Sequence, residues 1–188
     1  MNKKLRVKEY YDAHAPFYDA RYENLQNMKY RIVLSITSSQ LEGPLLVSDL
    51  GCGTGNLCRL LSDCAVRVVG VDISAEMLKI AKFKIRSSNV ELICADVENL
   101  PIRDEMLDVV FCITVIQNIP NVKMALSEIV RVGKNRSYIA ISTLRKTADA
   151  HVMVSLLEEA NIKIESVIDD THVEDIIFAG QLQKYDNK

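Results

Sequence analysis

Several signals that would direct the interpretation elsewhere are missing from this chain of 188 residues. Its five cysteines include no Cys-x-x-Cys pair, so a zinc site is not expected. No apolar run is long enough to span a membrane, and residues 1–8 are basic and polar, unlike a secretory signal. The sequence therefore predicts a cytoplasmic protein with no membrane span and no metal, whose cysteines are small buried hydrophobes.

A strong charge of one sign is also missing, because the formal net charge is only −2. Locally, residues 123–146 carry six Lys/Arg against one Asp/Glu. Such a cluster either attracts an anionic acceptor or is a solvated face divided between the two ends of one strand. The second interpretation is favoured, because charge runs usually serve solubility. The cluster consists of Arg131, Lys134, Arg136, Arg145 and Lys146.

What is present is an alternation of strand-like and helix-like apolar patterns. The predicted strands span residues 45–50, 66–71, 90–95, 107–116, 137–143, 163–168 and 175–182. Amphipathic helical patterns separate most of them, which predicts an α/β fold with a doubly wound, Rossmann-like, seven-stranded sheet. The last two strands have no helix between them. They predict a hairpin, so the sheet is mostly parallel with an antiparallel C-terminal strand.

The length of the chain predicts a single domain, residues 1–188, with an N-terminal helical segment (1–43) and a core (44–188). An aromatic stretch in the N-terminal segment precedes a separate helix, which Gly43 and Pro44 are expected to end. The aromatic stretch is either a lid over a ligand or a helix packed on the core. It contains Tyr10, Tyr11, His14, Phe17, Tyr18 and Tyr22.

The most informative stretch is residues 47–56, where a buried strand leads into a glycine turn and then a helix. Gly51, Gly53 and Gly55 have no Cβ, so the backbone can turn tightly and a ligand can lie against it. About 20 residues later, Asp72 ends the second strand, where a doubly wound fold places a carboxylate for a ribose hydroxyl. The pair of signals predicts a nucleotide-like cofactor.

The glycine spacing separates two classes of cofactor. A nicotinamide fingerprint needs Gly or Ala at position 56, where this chain has Asn56. The pattern Asp-x-Gly-x-Gly-x-Gly from Asp49 instead resembles motif I of the class I S-adenosylmethionine-dependent methyltransferases. Residues 94–101 resemble the adenine-contacting loop of that family, and residues 107–118 resemble its strand 4 segment. Two aromatic–aspartate triplets within residues 10–19 resemble the ubiquinone/menaquinone-methyltransferase-like branch (methyltransferase type 11).

This resemblance implies S-adenosylmethionine as the cofactor and gives roles to the matching residues. Asp72 is expected to accept hydrogen bonds from the ribose diol, Asp96 from the adenine amino group, and Asp49 to balance the cationic cofactor. For Asp72 and Asp96 the alternative is a structural capping role. The residues expected to bind the cofactor are Tyr18, Asp49, Gly51, Gly53, Gly55, Asp72, Ile73, Asp96, Val97 and Gln117.

Methyl transfer is an in-line displacement whose leaving group departs neutral, so alignment and desolvation supply most of the acceleration. A base is needed only where the acceptor must lose a proton. The candidates for a catalytic role are Gln117 and Asn118 after strand 4, and His14 and Tyr18 in the N-terminal segment. The sequence from Asn118 is not Asn-Pro-Pro-Tyr, which argues against the adenine-N6 and protein-glutamine methylating branches.

The sequence after strand 5 has almost no room for the lid helices that many relatives insert there. Acceptor recognition then depends on residues 1–43, on short loops or on a second subunit, so a homodimer is compatible with the sequence. The acceptor side is expected to be open, with residues 1–22 as a lid. A small-molecule acceptor is favoured. An RNA or protein methyltransferase, and a cofactor-binding module that needs a partner for catalysis, stay as alternatives.

Overall fold

The computed structural model describes residues 3–43, 45–64 and 67–184 of the chain. Its strands are β1 (Leu46–Leu50), β2 (Arg67–Asp72), β3 (Val90–Cys94), β4 (Leu107–Cys112), β5 (Gly133–Leu144), β6 (Ile162–Ile168) and β7 (Asp175–Leu182). They form one sheet in the order β3-β2-β1-β4-β5-β7-β6. Every pair is parallel except the two that involve β7, which is antiparallel to both β5 and β6. The predicted fold class is confirmed.

Helices cover both faces of this sheet. They are α1 (Lys3–Ile36), α2 (Asn56–Ser62), α3 (Ala75–Lys84), α4 (Val122–Val132) and α5 (Ala150–Glu159). The α4 and α5 helices pack on one face, while α2, α3 and the C-terminal part of α1 pack on the other. Since the central strands are buried on both faces, they are almost continuously apolar in sequence. The parallel strands β1, β2 and β4 all end at one edge, where ligands bind in folds of this kind.

The α1 helix is a single element of 34 residues, so the predicted division into an aromatic segment and a separate helix is wrong. The side chains of Lys3 and Lys29 both reach the chain after β4, contacting Ile119 O and Thr114 Oγ1 at 3.1 Å each. A straight helix would separate these two lysines by about 39 Å. The α1 helix must therefore bend over the carboxyl edge of the sheet. Pro16, which cannot continue the hydrogen-bond ladder, lies between the two lysines.

Two strand boundaries differ from the prediction by more than one residue. The β4 strand ends at Cys112 instead of residue 116, because Thr114 has a φ of 61° and turns the chain out of the sheet. A short 3₁₀ helix, residues 116–118, follows. The β5 strand is longer than predicted because Gly133 already pairs with β4, and Arg136, with a φ of 66°, accommodates a shift in register.

Other expectations fall at the margins of the described residues. The α1 helix ends at Ile36, before the predicted stop at Gly43, and Pro44 lies outside the described residues. The predicted start of β2 at Val66 lies outside them too. Within the described ranges, no helix combines the length and apolar character needed to cross a bilayer.

The cysteines are not uniformly buried. Cys52, Cys58 and Cys112 are buried as predicted, but Cys64 and Cys94 are exposed. The prediction is wrong for these two because Cys64 lies past the end of α2 and Cys94 ends the edge strand β3.

Candidate functional site

The turn after β1 is built on glycines with positive φ angles, a region that other residues rarely adopt. A Cβ at Gly51 would overlap the side chain of Val115, and one at Gly55 would lie 2.7 Å from Ile85 Cδ1. These two glycines are needed for packing. A Cβ at Gly53 would meet no atom within 4 Å, and Gly53 lines a cavity. Gly53 is therefore the position where a ligand can approach the backbone.

Asp72 ends β2 beside this turn and is only 8% exposed. Its Oδ2 accepts a hydrogen bond from Gly53 N at 2.8 Å, and its Oδ1 accepts one from Ser74 N at 2.8 Å. Burial raises the pKa of Asp72, while the two backbone N–H groups favour the ionised form. Each carboxylate oxygen has a second lone pair, so Asp72 can shape the turn and still accept hydrogen bonds from a ligand.

The cavity beside Gly53 and Asp72 has a volume of ≈ 90 Å³. Ligand pockets are usually about 300–1,000 Å³. A ligand as large as a nucleoside therefore requires part of the wall to move. The lining residues are Lys4, Val7, Tyr11, Tyr18, Gly51, Gly53, Asp72, Ile73, Met77, Asp96, Val97, Thr114, Val115, Asn118, Ile119 and Pro120.

One wall of the cavity is the N-terminal half of α1, which contributes Lys4, Val7, Tyr11 and Tyr18. Lys4 Nζ forms ion pairs with Asp96 and with Glu98, the latter at 2.6 Å. The hydroxyl of Tyr11 accepts a hydrogen bond from Asn118 Nδ2 at 3.0 Å. These contacts fasten α1 to two sides of the cavity, where residues 1–22 are predicted to act as a lid.

The structure places most of the predicted site residues together. Those that line the cavity are Tyr18, Gly51, Gly53, Asp72, Ile73, Asp96, Val97 and Asn118. Outside the lining lie Asp49, Gly55, Gln117 and His14. The amide of Gln117 donates to Thr114 O at 2.6 Å and accepts from Thr143 Oγ1 at 3.3 Å. His14 is exposed and stacks on Tyr10.

Asp49 is fully buried beneath the glycine turn. It is 3% exposed, and its Oδ2 accepts a hydrogen bond from Cys58 Sγ at 3.4 Å. Burial raises the pKa of Asp49 to about 7, and the negative charge of Asp72 adds to the effect. Its role as a counter-charge to a cationic ligand stays a prediction.

The two tyrosines that line the cavity are not suited to take a proton at neutral pH. Burial raises the pKa of Tyr11 and of Tyr18, so both phenols stay protonated. Asp96 is ion-paired with Lys4, and Asp72 is held by backbone N–H groups. The cavity can therefore orient a ligand and exclude water, but it offers no evident general base.

Several lining residues were missed by the sequence reasoning. Tyr11 was named only as a member of the aromatic stretch, although its position two helical turns before Tyr18 could have placed both on one face of α1. Thr114 lies in an apolar run that reads as strand, and no neighbouring glycine signals its positive φ. Lys4 had no local signal either, because its partners Asp96 and Glu98 are remote in sequence.

Comparison with known proteins identifies the family. The profile of a methyltransferase domain family matches residues 48–141. The chain is 30% identical over 158 residues to the ubiquinone/menaquinone biosynthesis C-methyltransferase UbiE of Campylobacter jejuni. The aligned region covers 78% of this chain and 66% of that relative. The chain spans less than two thirds of the length of the first curated relatives that it matches.

Solved structures share the fold. The [4+2]-cyclase SpnF has a TM-score of 0.84 and 17% identity, with 94% of this chain and 95% of that chain covered. Magnesium protoporphyrin IX methyltransferase from Synechocystis PCC 6803, solved with bound S-adenosylmethionine, has a TM-score of 0.79 and 18% identity, with 97% and 98% covered. Since one of these proteins is a cyclase and the other a methyltransferase, the fold alone does not decide the reaction.

Proposed function

Because the chain belongs to the methyltransferase domain family, in the ubiquinone/menaquinone-methyltransferase-like branch of the class I S-adenosylmethionine-dependent methyltransferases, we propose that it transfers a methyl group to a small-molecule acceptor. The observation that carries the proposal is the cavity wall on which the Asp72 carboxylate lies beside the Cβ-free backbone of Gly53. These groups fit S-adenosylmethionine, since a ribose diol needs an acceptor and a bulky ligand needs open backbone. When bound, the cofactor supplies an electrophilic methyl group on a cationic sulfur.

Different lining residues are proposed to bind different parts of this cofactor. Asp72 would accept hydrogen bonds from the ribose hydroxyls, and Asp96, with the apolar Val97 beside it, would hold the adenine. The backbone at Gly53 would lie against the amino acid end. Lys4 contacts the Asp96 carboxylate, so the adenine amino group would either use a remaining lone pair of this carboxylate or displace the lysine.

The contribution of the chain to the reaction is alignment and exclusion of water. The N-terminal half of α1 closes over the cavity through Tyr11 and Tyr18, opposite Asn118 on the β4–α4 loop (residues 113–121). With both phenols protonated, no proton is taken from the acceptor by these tyrosines. An acceptor whose nucleophilic lone pair is already available at neutral pH therefore fits these two side chains best.

The chemistry of the acceptor side supports a small, largely apolar molecule. Val7, Val115, Ile119 and Pro120 line it, with the amide of Asn118 among them. A flexible nucleic acid or peptide would need a more polar, charged surface.

The basic cluster gives little support to an RNA acceptor. Arg131 Nη1 contacts Asp104 at 2.7 Å, and Lys134 Nζ contacts Asp108 at 2.6 Å. Pairing with carboxylates neutralises these cations locally. Their contacts favour the interpretation of the cluster as a solvated face.

Methyl-labelled S-adenosylmethionine tests the proposal. The purified chain is incubated with it and cell extract, and the products are separated into small molecules, RNA and protein. Label in small molecules, absent with Asp72→Asn, is the expected result. Label in RNA or protein would show that the acceptor is a macromolecule and not a small molecule. Tight binding of S-adenosylhomocysteine with no transfer in any fraction would instead favour a cofactor-binding module that needs a partner.

A further inference from the structure

We propose that the buried ion pair of Lys29 and Asp175 positions Thr114, and through Thr114 couples the bent α1 helix to the β4–α4 loop during methyl transfer. The catalytic part of this inference rests on the proposed function. The mechanical part concerns the loop alone and can be measured without an acceptor.

The ion pair lies in the interior, and neither of its members lines the cavity. Lys29 Nζ is 2.8 Å from Asp175 Oδ1, and the two side chains are 3% and 0% exposed. Lys29 is on α1, and Asp175 is the first residue of β7. A buried ion pair is weak evidence for a role in stability, because apolar residues of similar volume often replace one without loss. An apolar pair, however, could not form hydrogen bonds that hold a neighbouring residue in one orientation.

Those directed hydrogen bonds converge on Thr114. Lys29 Nζ donates to Thr114 Oγ1 at 3.1 Å, and Thr114 Oγ1 donates to Asp175 Oδ2 at 2.7 Å. Ser142 Oγ donates to the same Asp175 oxygen at 2.6 Å and accepts from Thr114 N at 2.8 Å. Both the hydroxyl and the backbone N–H of Thr114 are thus held by one buried network.

The conformation that this network holds is an unfavourable one. Thr114 has a φ of 61°, which is a strained region for a β-branched residue. Strained residues persist where the surroundings hold them in place, and they cluster at functional sites. Glycine would adopt this backbone freely, so a threonine here indicates that its hydroxyl is used.

The strained backbone at Thr114 sets the direction of the β4–α4 loop, which lines the cavity. Immediately after Thr114, Val115 packs against Gly51 in the glycine turn. Asn118 then donates its hydrogen bond to Tyr11 on α1. Near the end of the loop, Lys3 Nζ donates to Ile119 O at 3.1 Å. The α1 helix therefore holds this loop at its beginning through Lys29 and at its end through Lys3. A shift of α1 would move the residues that face the acceptor.

Four variants test the coupling. Lys29→Met removes the charge at similar length. Thr114→Ala removes the hydroxyl and leaves the ion pair in place, whereas Thr114→Ser retains the hydroxyl. Lys123→Met is the matched control, because Lys123 forms an ion pair with Glu159 at 3.1 Å that is largely exposed to solvent. Hydrogen exchange of residues 113–121, S-adenosylhomocysteine affinity and methyl transfer are measured for each.

We expect Lys29→Met and Thr114→Ala to accelerate exchange in the loop by roughly tenfold, with β1 and β2 unchanged. Misalignment of the acceptor should slow transfer by roughly 10- to 100-fold. S-adenosylhomocysteine affinity should change by less than about threefold, since Asp72 and Gly53 are untouched. Lys123→Met should match the wild type in every measurement. Thr114→Ser, which retains the hydroxyl, should show slower loop exchange than Thr114→Ala.

The coupling is overturned if loop exchange in Lys29→Met and Thr114→Ala equals that of Lys123→Met. It is also overturned if exchange rises equally throughout the sheet, because the pair would then serve only stability. Should Lys29→Met fail to fold, Thr114→Ala decides alone. A wild-type chain that transfers no methyl group contradicts the proposed function, while the exchange comparison still decides the coupling.

Discussion

At the scale of single residues, Asp72 both holds the glycine turn and is proposed to bind the ligand, and a single substitution can affect both roles. It accepts from the N–H groups of Gly53 and Ser74, so Asp72→Ala would disturb the turn as well as the ligand. Asp72→Asn keeps the volume of the side chain and one acceptor oxygen, so it retains one of the two backbone hydrogen bonds while its NH2 group replaces the other acceptor. We expect it to lose about 1.5–3 kcal/mol of S-adenosylhomocysteine binding, or roughly one to two orders of magnitude in Kd. Calorimetry measures this, and an unchanged Kd would assign Asp72 a capping role only.

The buried carboxyl of Asp49 predicts a dependence of stability on pH. Its pKa is raised to about 7 in the folded protein, against about 3.9 in an unfolded chain. The folded state binds the proton more tightly, so this contribution to the free energy of unfolding is lost as pH rises from about 4 to about 7. We expect Asp49→Asn to be more stable than wild type at pH 8, with the difference shrinking toward pH 4.

Denaturant unfolding at several pH values measures the effect. Asp72, whose pKa is also raised by burial, will leave a residual slope in the same direction. The exposed Asp63 provides the control, since Asp63→Asn should leave the pH dependence as in the wild type. Parallel profiles for Asp49→Asn and wild type would show that Asp49 titrates normally.

At the scale of elements, the α1 helix is both wall and core. Val33 is fully buried, whereas much of the N-terminal half is exposed on its outer side. We predict that deleting residues 1–22 leaves a folded chain that binds S-adenosylhomocysteine modestly less tightly. Methyl transfer should be lost, because Tyr11 and Tyr18 no longer exclude water.

Two measurements check the role of α1 as a lid. Transfer assays compare the truncated and full chains, and hydrogen exchange follows residues 3–18 with and without S-adenosylhomocysteine. Slower exchange with ligand is expected, because the ≈ 90 Å³ cavity must open and close again around it. If the truncated chain keeps full turnover, or if hydrogen exchange of residues 3–18 is the same with and without ligand, this half of α1 serves only in packing.

At the scale of the whole molecule, ligand binding should appear as a gain in thermal stability. A ligand at 100 times its Kd adds about 2.7 kcal/mol. For a domain of this size that corresponds to an increase in Tm of roughly 5–10 °C. We expect this for S-adenosylhomocysteine and no shift for NAD, since Asn56 stands at the third position of a nicotinamide fingerprint. A larger shift with NAD would contradict the cofactor assignment.

The sequence by itself determined the order of elements, the antiparallel last strand and the two cofactor signals. These are local properties. The period of apolar residues reports which faces are buried, and the glycine spacing, with Asp72 at a strand end, reports what the backbone can do there. Ser74 caps α3 by accepting a hydrogen bond from Met77 N at 3.1 Å, which is again a contact within one turn.

Tertiary structure alone decided how the site is closed and held. The bend of α1, the seating of Lys4 on Asp96 and the positive φ of Thr114 depend on partners remote in sequence. Lys29 lies 85 residues from Thr114. No periodicity or motif links residues so far apart, because their contact exists only once the sheet has brought the end of β4 and the start of β7 under α1.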